Sequence, residues 1–458
     1  MIKIKNKSGL VRNGKGRLNR KARHLALQSL EAGLNAADPG KIVRSRVLLG
    51  KSNIRVDGFS LDLRKFKSVY VIGGGKAGAS MANAINQILG RRITRGFVNV
   101  LPGVAGRTGM IELHQASHPT PDESGVKGTL EMLKIVEEAG KEDLIICLIS
   151  GGGSSLMPLP RDGVTLHDKR EITQALLRSG ATIDEINAVR KHISYFKGGW
   201  LAKKAYPATI LNLVLSDVVG DTISSIASGP SAPDPTTFHD AITILKKHCL
   251  WGKTPESIRK LLSEGEKGVI PETPKPGDKV FRKVHNIVLG NNRSVTTATC
   301  QYLRSAGLNS MILTSTLEGE ARHVGVILSS IAWEIERAGS PTRRPAAIVA
   351  GGETTVTVTG AGTGGRNQEL VLAATPKLPH LNGVVLASLS TDGVDGPTDA
   401  AGAIADGDTL AKAARIGLVP EDFLNANDSY RFFSKLGDLI LTGPTGTNVN
   451  DVTVLVLA

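Results

Sequence analysis

The pattern that most constrains this chain recurs six times: a short apolar run stops at a loop of Gly, Asn, Asp or Ser. These loops lie at positions 73, 151, 216, 290, 351 and 391. Runs that are apolar at every position belong to strands buried on both faces, as in parallel sheets covered by helices. In open parallel sheets, ligands bind outside the carboxyl ends of the strands. Polar loops gathered at that edge in both halves of the chain predict a cleft site between two α/β domains.

The first loop is the most informative. Residues 68–84 read SVYVIGGGKAGASMANA: Val69–Ile72 predicts a strand, Gly73, Gly74 and Gly75 a turn, and a helix starts near Ala77. A helix N-terminus after glycines presents unpaired N–H groups and a favourable dipole, which suits an anion. Lys76 adds a full cation there. Gly73, Gly75 and Gly78 also satisfy G-x-G-x-x-G. A dinucleotide site then needs a carboxylate about twenty residues on for the ribose. The next predicted strand, Gly96–Leu101, offers Arg95 and Asn99 but no carboxylate. Nor is this a Walker A loop, because Lys76 is followed by Ala77 rather than Ser or Thr.

The second strand, Asp143–Ser150, runs into Ser150, Gly151, Gly152, Gly153, Ser154 and Ser155. Such a nest can hold a phosphate with backbone N–H groups. The third, Leu211–Leu215, runs into Ser216, Asp217 and, four residues later, Asp221, a pair suited to Mg²⁺. Between them a helix is predicted within Ala181–Gly199, capped by Thr182 or Asp184. Its Asn187, Arg190, Lys191 and Lys197 are read as a solvated basic face. His118, before Pro119, is read as a loop histidine bonded to backbone.

Composition narrows the class. The chain has 458 residues, enough for two or three domains, and turns Pro-, Lys- and Glu-rich between Trp251 and Lys283. This predicts an N-terminal domain over 25–265 and a C-terminal one over 283–458. The net charge is +14, but residues 1–24 hold nine Lys or Arg and no Asp or Glu. That arm is expected to be solvated and poorly ordered. Cys147, Cys249 and Cys300 lie far apart, which favours a reducing cytosol and no zinc site. No apolar run approaches the roughly 18 residues of a membrane span.

In the C-terminal half, Asn286–Leu289 and Ala346–Ala350 predict strands, the latter ending at Gly351, Gly352 and Glu353. Thr354–Thr359 alternates and reads as a half-exposed strand. A glycine loop then leads to Arg366 and Asn367 and a helix over Gln368–Ala374. Val384–Leu389 ends at Thr391, Asp392 and Asp395, and Leu439–Leu441 with Val452–Leu457 are expected to form a hairpin.

Lys76 and Arg366 as cations, with Asp217, Asp221, Glu353, Asp392 and Asp395 as carboxylates, form an inventory for phosphoryl transfer. It is a poor one for a serine hydrolase, since no G-x-S-x-G elbow is present.

Longer blocks carry a resemblance. VIGGGKAG at 71–78, LISGGGSSL at 148–156, EINAVRKHISYFKGG at 185–199 and LSDVVGD at 215–221 are similar to class II glycerate 2-kinases. So are ASGPSAPDPTTF at 227–238, GGET at 351–354, GGRNQE at 364–369, STDGVDGPTDAAGA at 390–403 and TGPTGTNVND at 442–451. The likeness runs from about Leu25 to the last residue.

The resemblance implies a DUF4147-type Rossmann-like domain, doubly wound on a largely parallel sheet. It is joined to a smaller C-terminal α/β domain of MOFRL type. It further implies transfer of the γ-phosphoryl group of ATP, with Mg²⁺, to the 2-hydroxyl of D-glycerate. The catalytic positions are then Lys76 and Arg366; from the residue inventory, Asp217 is the carboxylate expected to orient the attacking hydroxyl. Gly74, Gly75, Ser150, Gly152, Gly153, Ser154, Asn187, Lys191, Asn367 and Asn448 are the expected substrate and phosphate contacts. Asp221, Glu353 and Asp392 are the expected metal ligands. A cytoplasmic monomer or homodimer with no membrane or specific nucleic-acid partner completes the expectation. Members of the family have also carried the name hydroxypyruvate reductase, and an NAD(P)H-dependent enzyme of that kind is the alternative.

Overall fold

A computed structural model describes residues 2–378 and 381–458. The chain divides into two compact units, Pro39–Leu289 and the remainder, in which the segment up to Asp38 joins Gly290–Ala458.

The Pro39–Leu289 unit opens with a small antiparallel sheet of β1 (Val47–Leu49), β2 (Asn53–Val56) and β3 (Phe59–Asp62). Its main sheet contains β4 (Ser68–Gly74), β5 (Arg95–Val100), β6 (Gly106–Thr108), β7 (Ile111–Gln115), β8 (Asp143–Ile149), β9 (Thr209–Leu215) and β10 (Val284–Gly290). The order is β10-β9-β8-β4-β5-β7-β6. Strands β7, β5, β4, β8 and β9 are parallel, and β6 is antiparallel to its neighbour. Without β6, the strands from β7 to β10 follow the 3-2-1-4-5-6 order of doubly wound nucleotide-binding sheets. The order reverses between β4 and β8, so a ligand crevice is expected at their carboxyl ends. Both faces are covered, which is why the runs are apolar throughout. Val71, Ile146, Leu148 and Leu213 enter one core, while Ile72, Cys147 and Val214 enter the other.

The second unit holds β11 (Asn309–Leu317), β12 (Ala346–Gly352), β13 (Val384–Ser390), β14 (Gly402–Asp406), β15 (Leu439–Ile440) and β16 (Asp451–Leu457), in the order β11-β12-β16-β13-β14-β15. Strand β16 is antiparallel to both β12 and β13. The expected hairpin is therefore absent: β15 pairs with β14 instead. All seven residues of β16 are buried, which suits a central strand rather than one arm of a terminal hairpin. Among the described residues, Thr354–Thr359 makes only an isolated bridge at Thr355, opposite Glu320.

The basic arm is helical rather than disordered, in Lys7–Arg12 and Gly16–Ala36. Ala22, Ala26, Leu27, Leu30 and Leu34 form a fully buried stripe. Arg23 falls on that face and is itself fully buried, bound to Asp406 at 2.5 Å and Asp438 at 2.5 Å. Charge counting treats every Arg as solvated and so misses it. Among the described residues, no helix is long and apolar enough to cross a membrane.

Candidate functional site

In the Pro39–Leu289 unit, the loops after β4 and β8 are joined. The Lys76 N–H donates to the Gly151 carbonyl at 2.8 Å, and the Ala77 N–H donates to Ser150 Oγ at 3.0 Å. A Cβ on Gly75 would overlap the Ser150 side chain, so glycine there permits the approach. Gly152 has φ +80°, and its open face is filled from outside. A Cβ there would stand 2.9 and 3.1 Å from Cδ2 and Nε2 of His118 and 3.2 Å from Cγ of Lys76. Lys76 and His118 thus flank Gly152 at the point where the strand order reverses. His118 follows β7, a strand parallel to β5 in this sheet, and so leaves from the same edge. Sequence pattern gives no strand there, so His118 reads as an ordinary loop residue until the sheet is seen.

Asp217 follows β9. Burial pushes its carboxyl up from the ordinary range, while the charge of Lys76 pulls it back. Further along, Asp221, Ala227 and Ser228 have φ of +54°, +51° and +59°. Left-handed non-glycine residues cost energy and concentrate at functional sites. Ser228 Oγ donates to Asn187 Oδ1 at 3.0 Å and lies 2.8 Å from Ser154 Oγ. Asn187 is on the helix Ile183–His192, whose N-cap is Thr182 in a capping box with Glu185.

The expected solvated face of that segment is not solvated. Lys191 is buried against Asp234 at 3.4 Å. Lys197 is fully buried, and its Nζ donates to the Ser154 carbonyl at 2.9 Å.

In the second unit, Arg366 opens the helix Arg366–Ala374. Its Nε and Nη2 donate to Asp451 at 2.5 and 2.9 Å, and Nη1 pairs with Glu353 at 2.7 Å. Asp451 begins β16, in register with Gly352 of β12 and Ser390 of β13. Asp395 accepts from the backbone N–H groups of Asn367 at 3.1 Å and Gln368 at 2.9 Å. Burial, reinforced by the charge of Asp451, pushes Asp395 up to about 6 despite those bonds. Burial also raises Asp451, against the opposing pull of Arg366.

Residues 25–263 match the family described as a domain of unknown function, DUF4147, and residues 346–451 match the MOFRL family. The chain is 42% identical to a glycerate 2-kinase of Pyrococcus horikoshii over 95% of this chain and 97% of that one. This chain belongs to the glycerate 2-kinase family.

A D-glycerate 2-kinase of Thermotoga maritima is 43% identical over 84% of this chain and 90% of its own length. A crystal structure of glycerate kinase from the same organism superposes with a TM-score of 0.84 at 39% identity, covering 95% and 99% of the two chains. Relatives in Agrobacterium vitis bear the name putative hydroxypyruvate reductase.

For a glycerate 2-kinase family member, the expected site residues separate into two groups. Lys76, Gly75, Ser150, Gly152 and Ser154 come together through the contacts above, and Asn187 joins them through Ser228. Gly74 and Gly153 frame the same turn: a Cβ on Gly153 would stand 3.2 Å from the Gly74 carbonyl. Others are occupied within their own unit. Lys191 is neutralised by Asp234, and Arg366 is held by two carboxylates. Asn367 is buried, bridging Asp395 and the Ser388 hydroxyl at 3.1 and 2.5 Å. Asn448 Oδ1 accepts from the Asn450 N–H at 3.3 Å. Asp392 accepts from Ser390 Oγ at 2.9 Å and the Val394 N–H at 3.1 Å. Among the described residues, the one group of three His, Asp or Glu side chains spaced to share an ion is His167, Asp168 and Glu171. Asp221, Glu353 and Asp392 belong to no such preassembled group.

Proposed function

We propose that this protein transfers the γ-phosphoryl group of ATP to the 2-hydroxyl of D-glycerate, giving 2-phosphoglycerate and ADP. The observation that carries this reading is the meeting of Lys76 and His118 over Gly152, where two glycine loops are stitched together. A cation beside two joined glycine loops at the switch point of a parallel sheet suits a phosphate. Phosphoryl transfer asks mainly for positioning and charge stabilisation.

In this mechanism Lys76 offsets the charge that develops on the transferred group. Asp217 orients the acceptor hydroxyl and takes its proton as the oxygen attacks phosphorus and the bond to the ADP oxygen breaks. Its raised affinity for a proton, caused by burial, suits a group that must receive one. Mg²⁺ is usually held through phosphates and one or two carboxylates, so no complete protein cage is required. Asp221, four residues beyond Asp217, Glu353 and Asp392 are the carboxylates proposed for that role, Glu353 also pairing with Arg366 and Asp392 accepting within its own turn. When bound, the ion would neutralise charge on the phosphates. Arg366, fixed by Asp451 and Glu353, is assigned a presenting rather than a mobile role.

The reductase reading is disfavoured by the end of β5. Asn99 stands where a ribose carboxylate would be sought, and it is buried, donating to the carbonyls of Gly125 at 3.2 Å and Leu156 at 2.6 Å. The unpaired Cys147, Cys249 and Cys300 agree with a cytoplasmic protein, and a monomer or homodimer is the proposed state. Incubation with D-glycerate, ATP and Mg²⁺ followed by ³¹P NMR tests the reading. A 2-phosphoglycerate signal matched by ADP is expected. A 3-phosphoglycerate signal would overturn the position of attack, and NAD(P)H consumption on hydroxypyruvate without a phosphoester would overturn the kinase.

A further inference from the structure

Among the described residues, Lys169, Arg190 and Lys197 are cations without counter-ions. Lys197 is fully buried and its ammonium makes a single hydrogen bond to a described residue, to the Ser154 carbonyl at 2.9 Å. Lys169, 4% exposed on the helix Leu166–Arg178, donates among the described residues only to the Leu159 carbonyl at 3.3 Å. That carbonyl also accepts from Ser194 Oγ at 2.9 Å, and Ser194 Oγ in turn accepts from the Lys197 N–H at 3.3 Å. The two lysines are therefore pinned to one turn of chain. Arg190 is half-buried, and no hydrogen bond or ion pair to a described residue engages its guanidinium. It lies three residues after Asn187, so it shares the helix face that reaches Ser228 and, through it, Ser154. Two carboxylates of this unit already have cations: Asp234 binds Lys191, and Glu272 binds Lys275 at 3.1 Å.

Two buried amines with one hydrogen bond each, beside a half-buried guanidinium, are costly, and apolar residues of the same volume would be more stable. Burial and mutual repulsion lower the proton affinity of Lys197, as burial and Arg190 do for Lys169. An arrangement that costs stability in the free protein has a physical rationale when a ligand supplies the missing negative charge. The loop that Lys197 grips is the serine-rich turn after β8, whose Ser154 is half-exposed.

We propose that Lys169, Arg190 and Lys197 are the counter-charge for a phosphate-bearing ligand seated on the Gly151–Ser155 loop. Arg190 contacts the phosphate, and the two lysines act as positioning residues behind it. Lys197 holds the Ser154 carbonyl and adds its field to the loop. The site rests on the kinase reading only for the class of nucleotide that brings the phosphates.

The test uses the full-length protein, with inorganic tripolyphosphate as probe, and reads thermal unfolding and steady-state kinetics. Lys197→Met is expected to raise the midpoint of the free protein, because a fully buried amine with one hydrogen bond gives way to an apolar side chain. It should also abolish most of the midpoint rise caused by tripolyphosphate and raise KM for ATP by about tenfold or more, since the loop loses both the hold on the Ser154 carbonyl and the positive field behind it. Arg190→Gln, at the half-exposed end, should leave the free midpoint unchanged and weaken tripolyphosphate by about tenfold. A Lys197→Met protein with a lowered midpoint and an undiminished probe effect would make Lys197 a structural peg and overturn the proposal. If Lys197→Met does not fold, Arg190→Gln decides alone, and wild-type affinity for tripolyphosphate refutes the site. Probe binding lost as described, in a protein that makes no phosphoglycerate, would remove the kinase reading and leave the site standing.

Discussion

Gly152 allows the proposed site to be perturbed without altering any charged group. Gly152→Ala imposes two separable costs. The first is the left-handed backbone at φ +80°, which costs a residue with a Cβ about 1–2 kcal/mol. For a unit of this size that lowers Tm by roughly 2–8 °C, well within typical stabilities. The second is steric: the added carbon stands 2.9 Å from His118 Cδ2 and 3.2 Å from Lys76 Cγ, so both side chains must retreat by several tenths of an ångström. Displacing catalytic groups by about 1 Å can cost roughly a hundredfold in rate, so a loss of about tenfold or more in kcat/KM is expected. Gly163→Ala is the control, with φ +78° but nothing within 4 Å of its Cβ. Both variants should melt at similarly reduced temperatures, and only Gly152→Ala should lose turnover in a coupled assay of ADP release. Equal kcat/KM in the two variants would refute the placement of Lys76 and His118 at the reacting centre.

Four further outcomes are expected. Lys76→Ala should fall below about a tenth of wild-type turnover while the protein stays folded, since a cation acting on transition-state charge can contribute roughly 10³–10⁵. Arg366→Ala should lose activity and also about 3–5 kcal/mol of stability, because it strands buried Asp451; a denaturant titration separates the two variants. Asp395, raised from 3.8 to about 6, holds its proton longer in the folded than in the unfolded state, so its ionisation removes stability as pH rises from about 4 to 6. The stability of Asp395→Asn relative to wild type should accordingly improve by about 2–3 kcal/mol over that range, and a pH-independent difference would contradict the assignment. Arg23→Ala should cost about 3–5 kcal/mol by leaving Asp406 and Asp438 unpaired in the interior, and urea unfolding reads it directly.

The parallel core of the first unit was legible because each strand is buried on both faces and so reads as an unbroken apolar run. That signal alone locates β4, β8 and β9 to within two residues. Strand β7, IELHQ, alternates and carries Glu112 and His114, so it gives no such run, and the loop bearing His118 loses its context. In the second unit, the partners of β16 are set by register with β12 and β13, strands about a hundred and about seventy residues earlier in the chain. Local pattern favours the nearest strand, Leu439–Ile440, which is why a hairpin is expected from sequence. The basic arm misleads for a related reason: nine positive charges describe its composition, while a stripe at helical spacing decides its fate.

Charged residues show where sequence reasoning stops. Lys76, Lys191 and Arg366 stand out by type and position, as cations near predicted ligand loops. Lys191 has Asp234, and Arg366 has Asp451 and Glu353, so the fields of these two are largely cancelled at home, while the charge of Lys76 acts on Asp217. Arg190 and Lys197 read as surface charge, yet no carboxylate among the described residues pairs with either. What a cation can do for an anionic ligand depends on the charge left after its neighbours are counted. That remainder is fixed by tertiary contacts between segments far apart in the chain, such as Lys197 with Ser154 and Lys191 with Asp234, each pair 43 residues apart. A functional cation is therefore better recognised by the absence of a buried carboxylate than by its own identity. By that criterion the Gly151–Ser155 loop, with Lys197 behind it, is a stronger seat for phosphate than the start of the Arg366 helix, whose cation already carries two carboxylates.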